Sequence, residues 1–221
     1  MEWRTTTPAR VHHRCRHHTP DVQQEYFEGP LAIQYPPRAE SLANIVNAVE
    51  TATARDLPVL VVQHQMPKGA PVFAEGTAGW SLHPAIERCI DSATKRVHKQ
   101  YGSVFAGTDV AQWLHAHDVD TITIVGYMTN NCDLATAVEA EGLGFATEIL
   151  SDATGAIDLA NEAGTISAES LHTALMVMLQ SNFAAVSTTA QWIEAVRSGS
   201  TLPKSNLVQS ALDGRSAAAL A

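Results

Sequence analysis

Cys132 stands at a position where a cysteine could act as a nucleophile. Residues 121–125 form an apolar run that predicts a buried strand, and residues 131–143 have the apolar spacing of a helix. The thiol is therefore expected in the first turn of a helix, at the carboxyl end of a strand, where open α/β sheets bind their ligands. A helix N-terminus stabilises negative charge, so we expect it to lower the thiol pKa, and free backbone N–H groups of the turn could hold an oxyanion. The alternative is that Cys132 is only a small buried hydrophobic residue.

A cysteine nucleophile also needs a base and a charge partner. Lys99 follows a short predicted strand at residues 96–98, and a lysine at a strand end can support a thiolate electrostatically. Asp21 precedes a polar segment and could serve as the base. Each of these two residues is weak evidence alone, because such a lysine is usually solvated and such an aspartate is most often a cap or turn residue.

The elements that must position these side chains alternate along the chain. Apolar patterning predicts strands at residues 58–62, 96–98, 121–125, 145–150 and 184–187. Helices are predicted after Pro37 and at 84–91, 109–117, 131–143, 167–183 and 189–197. Residues 66–84 are rich in Gly and Pro and predict a long loop. Repeated strand–helix units predict an α/β fold with three layers, in which helices cover both faces of a doubly wound, mostly parallel sheet.

The composition limits the classes of function. The chain has 221 residues, 45% of them hydrophobic, and a formal net charge of -9. This fits one compact domain whose acidic surface gives nucleic acids and anionic membranes no electrostatic reason to bind. Its three cysteines, Cys15, Cys89 and Cys132, cannot form a fully paired disulfide framework and favour a cytoplasmic setting. No apolar run is long enough to span a bilayer, and no apolar segment follows the basic N-terminus as a secretory signal would require.

The segment before Asp21 is atypical, because a doubly wound fold needs a hydrophobic strand there. Residues 11–20 instead carry a cluster of His and Arg, which would be costly to bury. Residues 1–20 could be a solvated arm or a leftover expression sequence. A local frameshift is the sharper hypothesis, because reading residues 12–18 one nucleotide later gives Ile or Thr at the His positions and allows Val at the Arg positions. Resequencing the gene would decide between these alternatives.

Three short motifs become specific when they are taken together. Asp21 and Gln23 form an Asp-x-Gln turn, Lys99 precedes Ser103 and Phe105, and a Gly-x-x-Thr-x-x-Cys turn ends at Cys132. Their order and spacing resemble those of the isochorismatase-like hydrolases, a family that includes nicotinamidases, other small-amide hydrolases and isochorismatase. The resemblance covers residues 21–197, the predicted hydrolase domain, and leaves residues 198–221 as a predicted flexible tail.

The resemblance implies a mechanism and an assembly. Cys132 would attack a substrate carbonyl, Asp21 would act as general base and then protonate the leaving amine, and Lys99 would orient Asp21 and stabilise the thiolate. A thioester would form and be hydrolysed, with the oxyanion on the backbone N–H groups of Met128 and Cys132. Family precedent also implies a cis peptide between Tyr127 and Met128, and a homodimer or homotetramer.

Departures from the family pattern refine the prediction. Nicotinamidases bind a metal through an Asp-x-His element after the second strand, and here His64 lacks that Asp. We therefore predict no catalytic metal and no cofactor, and a nicotinamidase is disfavoured. Isochorismatases that cleave a vinyl ether need not use a cysteine, so Cys132 favours hydrolysis of a small amide or related C–N bond. The alternatives left open are vinyl-ether hydrolysis and an inactive member that serves in binding or assembly.

The substrate pocket is predicted from the segments that should border the site. Its candidate residues are Tyr26, Gln65, Trp80 and Tyr127. For each of the aromatic residues, packing in the core or in an interface is an equal alternative.

Overall fold

The computed structural model describes the backbone of residues 16–219 and the side chains of residues 21–219. Eight strands are present in this part of the chain: β1 Arg16–Asp21, β2 Leu60–His64, β3 Lys95–Lys99, β4 Thr121–Tyr127, β5 Ala146–Gly155, β6 Leu159–Asn161, β7 Gly164–Ile166 and β8 Ala185–Ser187. The helices are α1 Glu25–Glu28, α2 Arg38–Thr53, α3 Pro84–Cys89, α4 Val110–Ala116, α5 Leu134–Leu143, α6 Ala168–Asn182, α7 Thr189–Ser198 and α8 Leu207–Ala218. A π-helical turn, Thr129–Asp133, connects β4 to α5.

Six of the strands form one sheet in the order β3-β2-β1-β4-β5-β8, and each neighbouring pair is parallel. The chain order reverses between β1 and β4, which makes the carboxyl ends of these two strands a topological switch point. The sheet confirms the predicted doubly wound α/β fold, and it brings the strand ends that carry Asp21 and Lys99 to the edge where the π-helical turn begins.

Helices cover both faces of this sheet because successive strand residues bury opposite faces. Val61 packs in a core with residues of α2, α3 and α7, including Ile45, Ile86 and Trp192. Its neighbour Leu60 packs in a second core with residues of α4, α5 and α6. The continuous apolar run of β2 is thus explained by a strand that is covered on both sides.

The atypical N-terminal segment supplies the central strand of the sheet. The backbone of β1 pairs with β4 from Arg16 opposite Thr121 to Asp21 opposite Gly126. Residues 1–15 of the predicted arm, with Cys15, lie outside the described residues. The frameshift hypothesis stays a prediction, since the pairing concerns the backbone alone.

Three elements were missing from the sequence prediction. They are the short helix α1, the antiparallel hairpin of β6 and β7, and helix α8, whose N-terminus is capped by the Asn206 side chain accepting from Gln209 N. No residue of α8 is buried. Leu207, Val208, Ala211 and Leu212 do have helical spacing, and that pattern was the signal that could have predicted this helix. The predicted flexibility of residues 198–221 stays a prediction. Within residues 16–219, the helices are too short or too polar to cross a membrane.

Candidate active site

Three strand ends bring a carboxylate, an ammonium and a thiol together. Asp21 ends β1, Lys99 ends β3, and Cys132 lies in the π-helical turn that follows β4. Lys99 Nζ donates a hydrogen bond to Cys132 Sγ at 3.0 Å and lies 3.5 Å from Asp21 Oδ2. The structure therefore places all three sequence-predicted catalytic residues within reach of one bound molecule.

Gly126 lets the two strands that carry this site approach each other closely. Its φ is +107°, in the region that favours glycine, and a Cβ atom at this position would lie 2.5 Å from the backbone N of Asp21. Any larger residue would push Asp21 away from the turn that holds Cys132. The close approach of Asp21 therefore explains why the first position of the Gly-x-x-Thr-x-x-Cys motif is a glycine.

Burial sets the protonation state of the site. Asp21, Lys99 and Cys132 are 4%, 3% and 7% exposed, respectively. Burial raises the pKa of Asp21 to about 6, although the positive charge of Lys99 opposes the shift. Burial alone would lower the pKa of Lys99, but the facing Asp21 and Cys132 raise it, so the ammonium stays charged.

The expectation of a lowered thiol pKa was wrong. Burial raises the pKa of Cys132 above its usual value, and the nearby Lys99 only partly offsets this. The helix-end argument missed the desolvation of the sulfur, which the sequence does not reveal. A thiol that starts protonated needs a base beside it, and both carboxylate oxygens of Asp21 are buried without a hydrogen-bond partner among the described residues.

His64 is a further site residue that the sequence reasoning considered only as a metal ligand. Its Nδ1 lies 3.2 Å from Lys99 Nζ, and Lys99 also donates to the Tyr101 carbonyl at 3.2 Å. An ammonium can only donate, so Nδ1 accepts and the imidazole is neutral. Burial and Lys99 lower the pKa of His64 to about 4, which agrees with a neutral ring. His64 lies opposite Lys99 in the parallel pairing of β2 with β3. A correct prediction of that pairing would have identified His64 as a neighbour of Lys99.

The turn after β4 has the predicted cis peptide between Tyr127 and Met128, which confirms that expectation. Within the turn, the carbonyl of Met128 accepts from Asn131 N at 3.0 Å and from Asp133 N at 3.3 Å. The oxyanion hole of Met128 and Cys132 stays a prediction.

The predicted pocket residues divide into two groups. Burial and the nearby Asp21, Cys132 and Asp133 raise the pKa of Tyr26 well above its usual value. Trp80 has a buried Nε1–H without a hydrogen-bond partner among the described side chains. Gln65 lines a cavity of about 270 Å³ together with His98, Gln100, Tyr101, Ala106 and Gly107. Tyr26 is only 1% exposed and packs in the core against Phe73. Substrate contact by Tyr26, Trp80 and Gln65 stays a prediction.

Tyr127 requires a correction. Its side chain is fully buried, its ring packs 5.4 Å from that of Tyr26, and its hydroxyl forms a 2.7 Å hydrogen bond with Ser41 Oγ in α2. The alternation of side chains along β4 turns this residue into the core, so the structure assigns it packing rather than substrate contact.

The residues described offer no group of three His, Cys, Asp or Glu side chains that could hold a metal ion. Gln63 directly precedes His64. Its side-chain amide donates a hydrogen bond to the Trp80 carbonyl at 3.0 Å and so supports the loop that contains Trp80. The expectation that catalysis needs neither metal nor cofactor stays a prediction.

Comparisons with known proteins agree on one family. A family model for the isochorismatase domain matches residues 19–191. The crystal structure of an isochorismatase-type protein from Burkholderia xenovorans LB400 is 44% identical, has a TM-score of 0.89, and covers 93% of this chain and 98% of its own. An isochorismatase family protein of Bacillus subtilis, YrdC, is 26% identical over 78% of this chain and 91% of its own. A maleamate amidohydrolase of Pseudomonas putida is 31% identical over 50% of this chain and 61% of its own.

Proposed function

The chain belongs to the isochorismatase family of hydrolases, and from that membership we propose that it hydrolyses a small amide or related C–N bond through a thioester on Cys132. The observation that carries the proposal is the contact of Lys99 Nζ with both Cys132 Sγ and Asp21 Oδ2 in a buried site. A buried thiol and a buried carboxylate that both contact one ammonium are the groups that nucleophilic acyl transfer requires.

The first half of the reaction uses Asp21 as a base. Above about pH 6 Asp21 is ionised and takes the proton of the Cys132 thiol, while Lys99 stabilises the thiolate that results. The sulfur attacks the substrate carbonyl, and the oxyanion is held by the backbone N–H groups of Met128 and Cys132. When the tetrahedral intermediate collapses, the C–N bond breaks, Asp21 returns its proton to the leaving amine, and a thioester remains.

The second half uses the same base again. Asp21, now ionised, takes a proton from water, and the hydroxide attacks the thioester carbonyl. The C–S bond breaks, the acid product leaves, and the proton passes back to Cys132. Lys99 keeps its positive charge throughout, because two groups that become negative face it.

The relatives support the amide class. One of them is a maleamate amidohydrolase, which by its name cleaves the amide of a small acid. The unpartnered Nε1–H of Trp80 and the Tyr26 hydroxyl beside the sulfur would suit polar groups of such a substrate. We also propose that the enzyme has two kinds of partner. One is its small-molecule substrate, and the other is further copies of the same chain in a homodimer or homotetramer.

Ammonia release from a panel of small amides tests the proposed class. The panel contains maleamate, nicotinamide and pyrazinamide, with isochorismate as the substrate for ether cleavage. We expect ammonia from at least one amide and no cleavage of isochorismate. Cleavage of isochorismate alone would establish the vinyl-ether alternative. A folded enzyme that releases nothing from any member would favour the inactive binding or assembly protein.

A further inference from the structure

Gln23, the glutamine of the Asp-x-Gln motif, is a fully buried residue to which the proposed reaction gives no role. Its side-chain amide makes three hydrogen bonds. Its Oε1 accepts from the backbone N of His64 at 2.7 Å. Its Nε2 donates to the His64 carbonyl at 3.0 Å and to the Trp80 carbonyl at 2.6 Å. Gln23 therefore ties the segment after β1 to the end of β2 and to the loop that contains Trp80.

The partners of this amide fix its orientation. A backbone N–H can only donate and a carbonyl can only accept, so the amide oxygen must face His64 N and the amide nitrogen must face the two carbonyls. The reversed amide would place donor against donor and acceptor against acceptor at all three contacts. None of the three bonds includes a titratable group, so the arrangement is the same in every protonation state of the site.

The two bonds to His64 take the place of strand pairing. Asp21, the last residue of β1, lies opposite the third residue of β2, and His64 lies two positions further along β2. On the other side of β2, Gln65 N donates to Lys99 O at 2.8 Å. Backbone groups alternate between the two sides of a strand, so the N–H and the carbonyl of His64 face the β1 side. The Gln23 amide pairs both of these groups, which would be costly to leave without partners.

His64 carries this constraint to the nucleophile. Its Nδ1 lies 3.2 Å from Lys99 Nζ, and Lys99 Nζ donates to Cys132 Sγ at 3.0 Å. An ammonium has three protons, and the acceptors around it determine where each of them points. A shift of the His64 backbone would move Nδ1 and remove one of the acceptors that direct the Lys99 ammonium. The position of the Gln23 amide therefore bears on the contact between Lys99 and the sulfur.

We propose that Gln23 is a positioning residue that holds the end of β2 in place for the nucleophile. By fixing His64, it keeps the Lys99 ammonium directed at the Cys132 thiol. By binding the Trp80 carbonyl, it holds the loop at a constant distance from the same point. The catalytic consequence rests on the proposed function, but the effect on the thiol does not, because the thiol can be titrated without a substrate.

The pH profile of Cys132 alkylation by iodoacetamide, followed by peptide mass spectrometry, tests the proposal. Gln23→Met keeps a similar length and removes all three bonds. It should raise the midpoint of the profile by about one pH unit, because a less firmly directed Lys99 stabilises the thiolate less. The midpoint, unlike the rate, does not depend on how easily the reagent enters the site. Gln63→Met is the matched control, because Gln63 donates to the same Trp80 carbonyl at 3.0 Å, and its midpoint should stay within about 0.3 pH units of the wild type.

Two results would overturn the proposal. An unchanged midpoint in Gln23→Met would show that Lys99 is held without this amide. An equal shift in Gln23→Met and Gln63→Met would assign the effect to the Trp80 loop instead of to His64. The double variant of His64→Leu and Gln23→Met tests the route, and it should have the midpoint of His64→Leu alone. Shifts that add in the double variant would exclude His64 as the link.

Gln23→Glu tests the three bonds themselves, and it decides if Gln23→Met does not fold. At pH 4.5 a protonated acid can still accept from His64 N and donate to one carbonyl. At pH 8 the ionised carboxylate faces two carbonyl oxygens and has no proton to donate. The Tm of Gln23→Glu should therefore approach that of the wild type at pH 4.5 and fall about 5 °C below it at pH 8. Equal differences in Tm from the wild type at both pH values would contradict the bonds on which the proposal depends.

Discussion

Cys132→Ala is expected to lower kcat/KM for the amide substrate by about 10⁴-fold or more. The sulfur is the only group in the proposed site that can form the covalent intermediate, and Lys99 donates directly to it at 3.0 Å. The side chain is small and makes no disulfide. We therefore expect the change to reduce the free energy of unfolding by only about 1 kcal/mol. Steady-state kinetics with circular dichroism as the fold check measure both effects.

Cys89→Ala is the matched control for this prediction. Cys89 lies at the end of α3, is half-buried, and has a pKa raised mainly by burial and by Glu50, so it shares the chemistry of Cys132 but not its position. Its replacement should leave kcat/KM within about twofold of the wild type. Hydrolysis that survives in Cys132→Ala but is lost when Asp21 is changed would favour ether cleavage, in which the sulfur has no role.

Asp21→Asn is expected to lower kcat/KM by about 10³-fold, because it removes the base for both proton transfers while preserving the shape of the side chain. In the wild type, activity should fall as the pH drops through about 6, where Asp21 becomes protonated. The residual activity of the variant should lack this acid limb. The measurement is the pH dependence of kcat/KM. An acid limb that persists unchanged in the variant would assign it to another group and contradict the role of Asp21.

The same substitution should stabilise the protein in a pH-dependent way. Burial raises the pKa of Asp21 from 3.8 to about 6, so the folded state holds a proton that the unfolded state loses in this interval. The contribution of Asp21 to the free energy of unfolding is fully present below pH 3.8. It is lost as the pH rises through about 6, and the total loss is about 3 kcal/mol. Asp21→Asn should therefore match the wild type in Tm near pH 4 and exceed it at pH 7.5. Asp213→Asn, on the exposed helix α8, is the control and should show no such difference.

Much of the site could be predicted because it is built from strand ends. Lys99 and Cys132 each follow a segment whose apolar pattern predicts a strand, and parallel strands present their carboxyl ends at one edge. Asp21 instead follows a His- and Arg-rich segment, and a strand was expected there only because the fold requires one. The order of the three motifs then identified the family. The expected cis peptide between Tyr127 and Met128 came from the same resemblance and is present.

The features that were missed depend on burial and on contacts between distant segments. The direction of the Cys132 pKa shift is set by desolvation, and no residue type or spacing reveals how much water reaches a sulfur. The role of His64 depends on the β2–β3 register, and Tyr127 was placed in the pocket because the face of β4 on which it lies was not resolved from a continuous apolar run.

Trapping the covalent intermediate on Cys132 tests the thioester mechanism. The amide that turns over in the panel is mixed with the enzyme, the reaction is quenched in acid within one turnover, and the peptides are analysed by mass spectrometry. If a thioester forms, the peptide containing Cys132 gains the mass of the acyl group, hydroxylamine removes this mass, and Cys132→Ala never acquires it. Rapid turnover with an unmodified Cys132 peptide at every quench time, and with no trapping by hydroxylamine, would contradict a thioester and require direct attack by water.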